Sequence, residues 1–186
     1  MTNQAMRTLF WGYLFIFFRV QIGIDWLADP FGYIMIATAC TKLSDAYPSA
    51  KKAGIWAAIG IFISLPGVFV NLTEQLFGWW GLYAYVLLFL KTIVAYYLFT
   101  VLLQVAGNLD NKSLVGRTQT VFRLHIGVHL AVLAVNSFSM NASGDAWMTV
   151  SFLLGIFLIV MDIAFLLLIG AIRRAAPLRP AFLKET

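Results

Sequence analysis

Long apolar stretches separated by short polar turns run through the whole of this 186-residue chain. A helix of about 20 mainly apolar residues is the length that spans the hydrocarbon core of a bilayer. We therefore predict an all-α protein, a polytopic transmembrane helical bundle of about six spans. The predicted spans cover residues 8–24, 29–45, 53–71, 78–106, 113–139 and 146–172.

The polar turns also indicate where the helices begin and end. Asp29 followed by Pro30 is typical of a helix start, because the aspartate can cap free N–H groups and proline fits the first turn. The span that follows is short, at roughly 25 Å against a hydrocarbon core of roughly 30 Å, so it either crosses fully or reaches only part way. Pro66 and Gly67 predict a kink or an end in the third span.

Composition agrees with a membrane protein and leaves room for one domain. Hydrophobic residues make up 61% of the chain and charged residues 11%, with a mean hydropathy of +0.86. Soluble domains carry about 25% charged residues. Six spans and their turns use nearly the whole chain, so we predict a single integral membrane domain that ends in a basic cytoplasmic tail at residues 173–186.

Basic and acidic residues fall on opposite sides of the predicted bundle. With the N-terminus inside, the inner segments carry the basic residues Arg7, Lys42, Lys51, Lys52, Lys112, Arg117, Arg173, Arg174, Arg179 and Lys184. The outer turns carry Asp25, Asp29, Glu74 and Asp145, and neither lysine nor arginine. The positive-inside rule then predicts that both termini are cytoplasmic. It also explains the net charge of +5 without a nucleic-acid partner.

Four titratable residues lie deep in the predicted spans: Lys91, His125, His129 and Asp162. A charge at the bilayer centre costs about 2.5–3.5 kcal/mol on insertion scales, so such groups normally face the protein interior and pair. Lys91 and Asp162 fall near the middle of the fourth and sixth spans, and their similar depth permits an ion pair. They are candidate ligand or coupling residues. The alternative is a structural pair that holds two helices together.

His125 and His129 are four residues apart and share one helix face, with Asn136 two turns later. This spacing suits a transition metal when another helix supplies further ligands. The chain has no other histidine, and Cys40 is its only cysteine. We therefore favour hydrogen-bonding core histidines or a polar cavity wall over a metal site, and we predict no metal and no cofactor. A His–Asp proton relay through Asp162 is a further alternative.

Two secondary candidates, Arg19 and Asp25, lie near the outer end of the first span. They indicate either an interfacial ion pair or an anion contact in an outward-facing cavity. No Walker loop, G-x-S-x-G, H-E-x-x-H or C-x-x-C pattern occurs in the sequence. We therefore predict no catalytic residues.

The segment L-A-D-P-F-G-Y-I, from Leu27 to Ile34, resembles an L-x-D-x-x-G-Y-I pattern that follows the first span in small, uncharacterised multi-pass membrane proteins of Gram-positive bacteria. Proline precedes the aspartate in that pattern and follows it here. The resemblance implies a bacterial cell-membrane location and no particular activity. In size and topology the predicted bundle is also similar to the substrate-binding subunits of energy-coupling-factor transporters.

Three functions are compatible with these features. The buried polar groups favour a component that transports or binds a small solute or an ion. Short loops and helix faces of small residues are typical of an accessory protein that packs against a larger membrane partner or a second copy. A membrane enzyme acting on a lipid or isoprenoid, with a histidine as base, is the third hypothesis. The expected partners are thus the bilayer, a small-molecule ligand and a membrane protein.

Overall fold

A computed structural model of the chain describes residues 2–17, 29–69, 78–138 and 144–176, and the backbone alone at 21–22 and 24–25. Helices dominate the described part, which confirms the predicted helical fold. They are α1 (Thr2–Phe17), α2 (Asp29–Leu43), α3 (Ser49–Ser64), α4 (Trp79–Asn108), α5 (Lys112–Phe138) and α6 (Asp145–Ala175). A short 3-10 helix, Leu65–Val68, extends α3. Two-residue strands β1 (Gln21–Ile22) and β2 (Ile24–Asp25) pair antiparallel.

The six helices form a closed ring in chain order. Each helix packs against the next along the chain, and α6 returns to pack against α1. The Nδ2 amide of Asn3 donates to the carbonyl oxygen of Arg173 at 2.8 Å, so the start of α1 and the end of α6 lie at the same end of the bundle. This closure turns the middle of α1, α4, α5 and α6 toward a common interior.

Small residues allow the first three helices to approach closely. A Cβ atom on Gly32 of α2 would lie 2.7 Å from the carbonyl oxygen of Gly12 on α1, so only glycine fits at this crossing. The ring of Tyr33 packs against Gly60 of α3 in the same way, since a Cβ there would lie 2.7 Å from it. The small residues of α3 accordingly face the interior; the buried ones are Ala50, Ala53, Ala57, Gly60 and Ser64.

Within the described residues, four helical segments are long and apolar enough to cross a membrane: Ser49–Val68, α4, α5 and α6. Large apolar side chains such as Phe62, Phe152 and Leu167 are exposed on the outside of the ring, as expected where lipid is the solvent. The helices α1 and α2 contain 16 and 15 residues. At 1.5 Å per residue they are roughly 24 and 22 Å long, shorter than the hydrocarbon core.

The first helix differs from its predicted range of 8–24. It begins at Thr2, because Gln4, Ala5, Met6 and Arg7 are good helix formers and two of them, Ala5 and Met6, are fully buried. The prediction of helix up to residue 24 was wrong, since Gln21 pairs with Asp25 in the β1–β2 ribbon. Each strand contains one isoleucine, a β-branched residue that favours an extended backbone.

Candidate functional site

A group of polar side chains surrounds Asp162 in the middle of α6. The carboxylate is buried, with 1% of the residue exposed. The hydroxyl of Tyr13 on α1 donates to Oδ1 at 2.7 Å, and the ammonium group of Lys91 on α4 donates to Oδ2 at 2.5 Å. Three helices therefore meet at one carboxylate.

Two histidines of α5 complete this group. Their Nε2 atoms, in His125 and His129, each lie 3.9 Å from Oδ1 of Asp162. The two imidazole rings are stacked, with centroids 4.1 Å apart and planes inclined by 22°. We call Tyr13, Lys91, His125, His129 and Asp162 the carboxylate cluster.

Backbone carbonyl groups determine which ring nitrogen carries hydrogen. Nδ1 of His125 lies 3.2 Å from the carbonyl oxygen of Met161, and Nδ1 of His129 lies 2.9 Å from that of His125. A carbonyl oxygen only accepts, so each Nδ1 is the donor and each Nε2 of the neutral rings carries a lone pair. Both Nε2 atoms lie near Oδ1 of Asp162, at 3.9 Å. The cluster thus brings three electron-rich atoms close together in the interior of the bundle.

Aromatic rings pack around the carboxylate cluster. The ring of Phe165 lies 4.5 Å from that of Tyr13 and 4.4 Å from that of Phe99, measured between centroids. Phe99 also contacts His125, at 5.3 Å, and both phenylalanines are fully buried. Apolar walls of this kind lower the local dielectric and strengthen the electrostatic interactions inside them.

A cavity of about 200 Å³ borders the cluster at Lys91. The Lys91 side chain is 14% exposed, whereas that of Asp162 is 1% exposed, so the ammonium group is the part of the ion pair that borders the cavity. Nζ also lies 5.6 Å from the centre of the Tyr13 ring, a cation–π contact. Asp29, in the first turn of α2, brings a second carboxylate to the cavity wall. The lining residues are Ile16, Asp29, Tyr33, Ala84, Leu87, Leu88 and Lys91.

The structure brings four of the predicted site residues together: Lys91, His125, His129 and Asp162. Asn136 is half-buried on α5, seven residues and therefore roughly 10 Å along the helix axis beyond His129. Arg19 lies outside the described residues. Asp25 is described only by its backbone in β2, so the predicted contacts of these two side chains stay predictions.

Sequence reasoning missed Tyr13, which joins α1 to the cluster. A buried tyrosine hydroxyl usually finds a hydrogen-bond partner, so a tyrosine in the middle of an apolar helix was the available signal. Phe99 and Phe165 gave no such signal, because phenylalanine is common throughout the spans and most copies could equally face lipid.

No protein-family model, curated protein or solved structure matches this chain. The four helical segments of spanning length found among the described residues are compatible with an integral membrane protein. The function is therefore inferred from the carboxylate cluster and its cavity.

Proposed function

We propose that this protein is a membrane component that transports or binds an ion or a very small solute through the carboxylate cluster. The observation that supports this most directly is the Lys91–Asp162 ion pair, buried inside the helical ring at the wall of a cavity. Ionisable residues within membrane segments are costly, and those that border cavities mark ion pathways, proton relays and substrate sites.

The size of the cavity favours an ion or a solute of few atoms. Its volume is about 200 Å³. Pockets for drug-sized ligands are larger, at roughly 300–1,000 Å³. Since one water molecule occupies about 30 Å³ of the liquid, the cavity corresponds to roughly seven water molecules.

The contacts of the cluster provide a way to couple binding to a change in charge pairing. Asp162 accepts from both Tyr13 and Lys91, and its Oδ1 also faces two imidazole nitrogens. A cation that reaches the carboxylate would compete with the Lys91 ammonium group, and an anion would compete with the carboxylate for that ammonium group. Either exchange leaves one charged group of the pair without its partner. Ion binding is thereby coupled to a rearrangement of the charged side chains.

For this role we propose six membrane-crossing helices with both termini in the cytoplasm of a bacterial cell. The contact between Asn3 and Arg173 supports placement of both ends on one side. The basic residues of the predicted inner turns then gather at that side, in agreement with the positive-inside rule. The short helices α1 and α2 can cross where the bilayer thins locally.

The test is ion flux in liposomes that contain the purified protein. Fluxes of H⁺, Na⁺ and K⁺ are measured separately under an imposed membrane potential, for the wild type and for Asp162→Asn. Asp145→Asn is the matched control, because Asp145 is an exposed carboxylate at the start of the same helix. We expect flux of at least one ion that Asp162→Asn abolishes and Asp145→Asn preserves.

Two results would contradict the proposal of ion coupling. One is a wild-type protein that conducts none of the three ions. The other is an Asp162→Asn protein that is folded and less heat-stable but conducts as the wild type does, because Asp162 would then serve stability alone.

A further inference from the structure

We propose that His125, His129 and Asp162 form a binding site for one divalent transition-metal ion. The ligands are the Nε2 atom of each imidazole and the Oδ1 atom of the carboxylate. One ligand atom from each of the three residues lies within 4.8 Å of the others, and all three residues are buried. This site is distinct from the ion pair, because Lys91 occupies the other carboxylate oxygen, Oδ2.

Both histidines have the Nδ1 hydrogen bond that metal-binding histidines normally have. Such residues donate the hydrogen of one ring nitrogen to a backbone carbonyl or carboxylate and bind the metal through the other nitrogen. The carbonyl groups of Met161 and His125 hold the two Nδ1 atoms in this way. The i, i+4 spacing on α5 then brings both Nε2 atoms to one side, as in zinc sites built on a helix.

The two Nε2 atoms are also chemically unsatisfied. Both residues are 0% exposed, and in the part of the chain that the structure describes neither Nε2 has a hydrogen-bond partner. Their 3.9 Å separations from Oδ1 are too long for hydrogen bonds. Burial of unpaired polar atoms is unfavourable, and one cation held by the two nitrogens and by Oδ1, which already accepts from Tyr13, would give both imidazoles a partner.

Metal binding requires a small contraction of the two nitrogen-to-oxygen distances and a rotation of the imidazole rings. Tetrahedral zinc with bonds of about 2.0–2.1 Å places its ligand atoms roughly 3.4 Å apart. The observed nitrogen-to-oxygen distances are 3.9 Å. A movement of roughly 0.5 Å by each imidazole toward Oδ1 brings the two nitrogen-to-oxygen distances to this spacing. The ring planes are inclined by only 22°, so the imidazoles must also rotate for both in-plane lone pairs to meet one ion.

The donor atoms define the class of metal. Two imidazole nitrogens and one carboxylate oxygen suit Zn²⁺, Fe²⁺, Co²⁺ and Ni²⁺, whereas Cu⁺ prefers thiolate and thioether ligands. The single thiol, Cys40, belongs to α2, on the far side of α1 from α6 in the ring, and packs against Gly54 of α3. Three protein ligands leave a further coordination position for water or a solute.

Lys91 provides a specific way to test the site. Its ammonium group lies on the carboxylate that would bind the metal, so its positive charge opposes the positive charge of the ion. Lys91→Met should therefore tighten metal binding, by at least about tenfold. A cluster of histidines with a merely structural role would not respond in this way. Metal binding does not require transport, so each can be observed without the other.

The experiment uses the full-length protein in detergent after treatment with a chelator. Co²⁺ is added and its visible d–d absorption is followed, and Zn²⁺ is then used as a competitor. We expect one Co²⁺ ion per chain and displacement by Zn²⁺. His129→Gln and Asp162→Asn should each weaken binding by at least about 100-fold, because loss of a ligand costs more than loss of its supporting hydrogen bond. Cys40→Ala and Asp145→Asn are the controls that keep wild-type affinity.

The proposal is overturned if the wild type binds no stoichiometric Co²⁺, or if His129→Gln or Lys91→Met leaves the affinity unchanged. Should the His129 variant not fold, X-ray absorption of the Zn²⁺-loaded wild type decides the question. A shell with two imidazoles supports the site, and a shell with sulfur or with oxygen alone excludes it. Metal binding without ion flux would contradict only the proposed transport function.

Discussion

The two charges of the Lys91–Asp162 pair should contribute unequally to stability. Lys91→Met leaves behind a carboxylate that is 1% exposed, whereas Asp162→Asn leaves behind an ammonium group that is 14% exposed and borders the cavity. Water can solvate the second charge more easily than the first. We therefore expect the free energy of unfolding to fall more in Lys91→Met than in Asp162→Asn.

Typical energies of buried ion pairs give the expected difference in stability between the two variants. Removing one partner of a buried ion pair costs about 3–5 kcal/mol, and we assign this range to Lys91→Met. In Asp162→Asn the amide oxygen still accepts from Tyr13, and the loss should be about 1–3 kcal/mol. The double variant Lys91→Met/Asp162→Asn buries no unpaired charge, so it should be more stable than Lys91→Met alone. The resulting coupling energy should then exceed the loss in Asp162→Asn alone, which is about 1–3 kcal/mol.

The assay is equilibrium unfolding in mixed micelles, with helix content as the readout, for the wild type, both single variants and the double variant. Lys52→Met is the control, because Lys52 is exposed on α3 and its replacement should change stability by less than about 0.5 kcal/mol. A larger loss of stability in Asp162→Asn than in Lys91→Met would refute the argument that the less exposed charge is the more costly one to leave unpaired. If the loss in the double variant equals the sum of the two single losses to within about 0.5 kcal/mol, the buried ion pair itself is refuted.

Three further predictions follow from other contacts. Gly32→Ala should lower the free energy of unfolding by about 1–3 kcal/mol in the same assay, because its methyl group would collide with Gly12. Gly107→Ala is the control and should cost nothing, since a methyl group there meets no neighbour. Equal effects of the two substitutions would exclude close α1–α2 packing. Tyr13→Phe should cost about 1.5–3 kcal/mol through loss of its hydrogen bond to the buried carboxylate of Asp162, and wild-type stability would argue against that bond. Alkaline phosphatase fused to either terminus should be inactive and green fluorescent protein should fluoresce, and opposite behaviour of the two ends would contradict the proposed topology.

The hydrophobic pattern was sufficient to predict helices because a chain in lipid must satisfy its backbone hydrogen bonds internally, and helices do this locally. The start of α2 at Asp29 and the end of α3 before Pro66 followed from residues with known capping and breaking effects. The start of α1 at Thr2 did not follow, because the first residues are polar and their helix is stabilised by burial of Met6 inside the bundle.

The sequence by itself therefore determined the class of fold and the depth of the charged residues, because both depend on local composition and on position within a helix. It placed Lys91 and Asp162 at similar depths and placed two histidines on one helix face. Only the tertiary structure decided that these faces meet, since the rotation of each helix about its axis is set by packing against its neighbours. The ring closure by α1 and α6 added Tyr13, and the carbonyl group of Met161 oriented His125 toward the carboxylate.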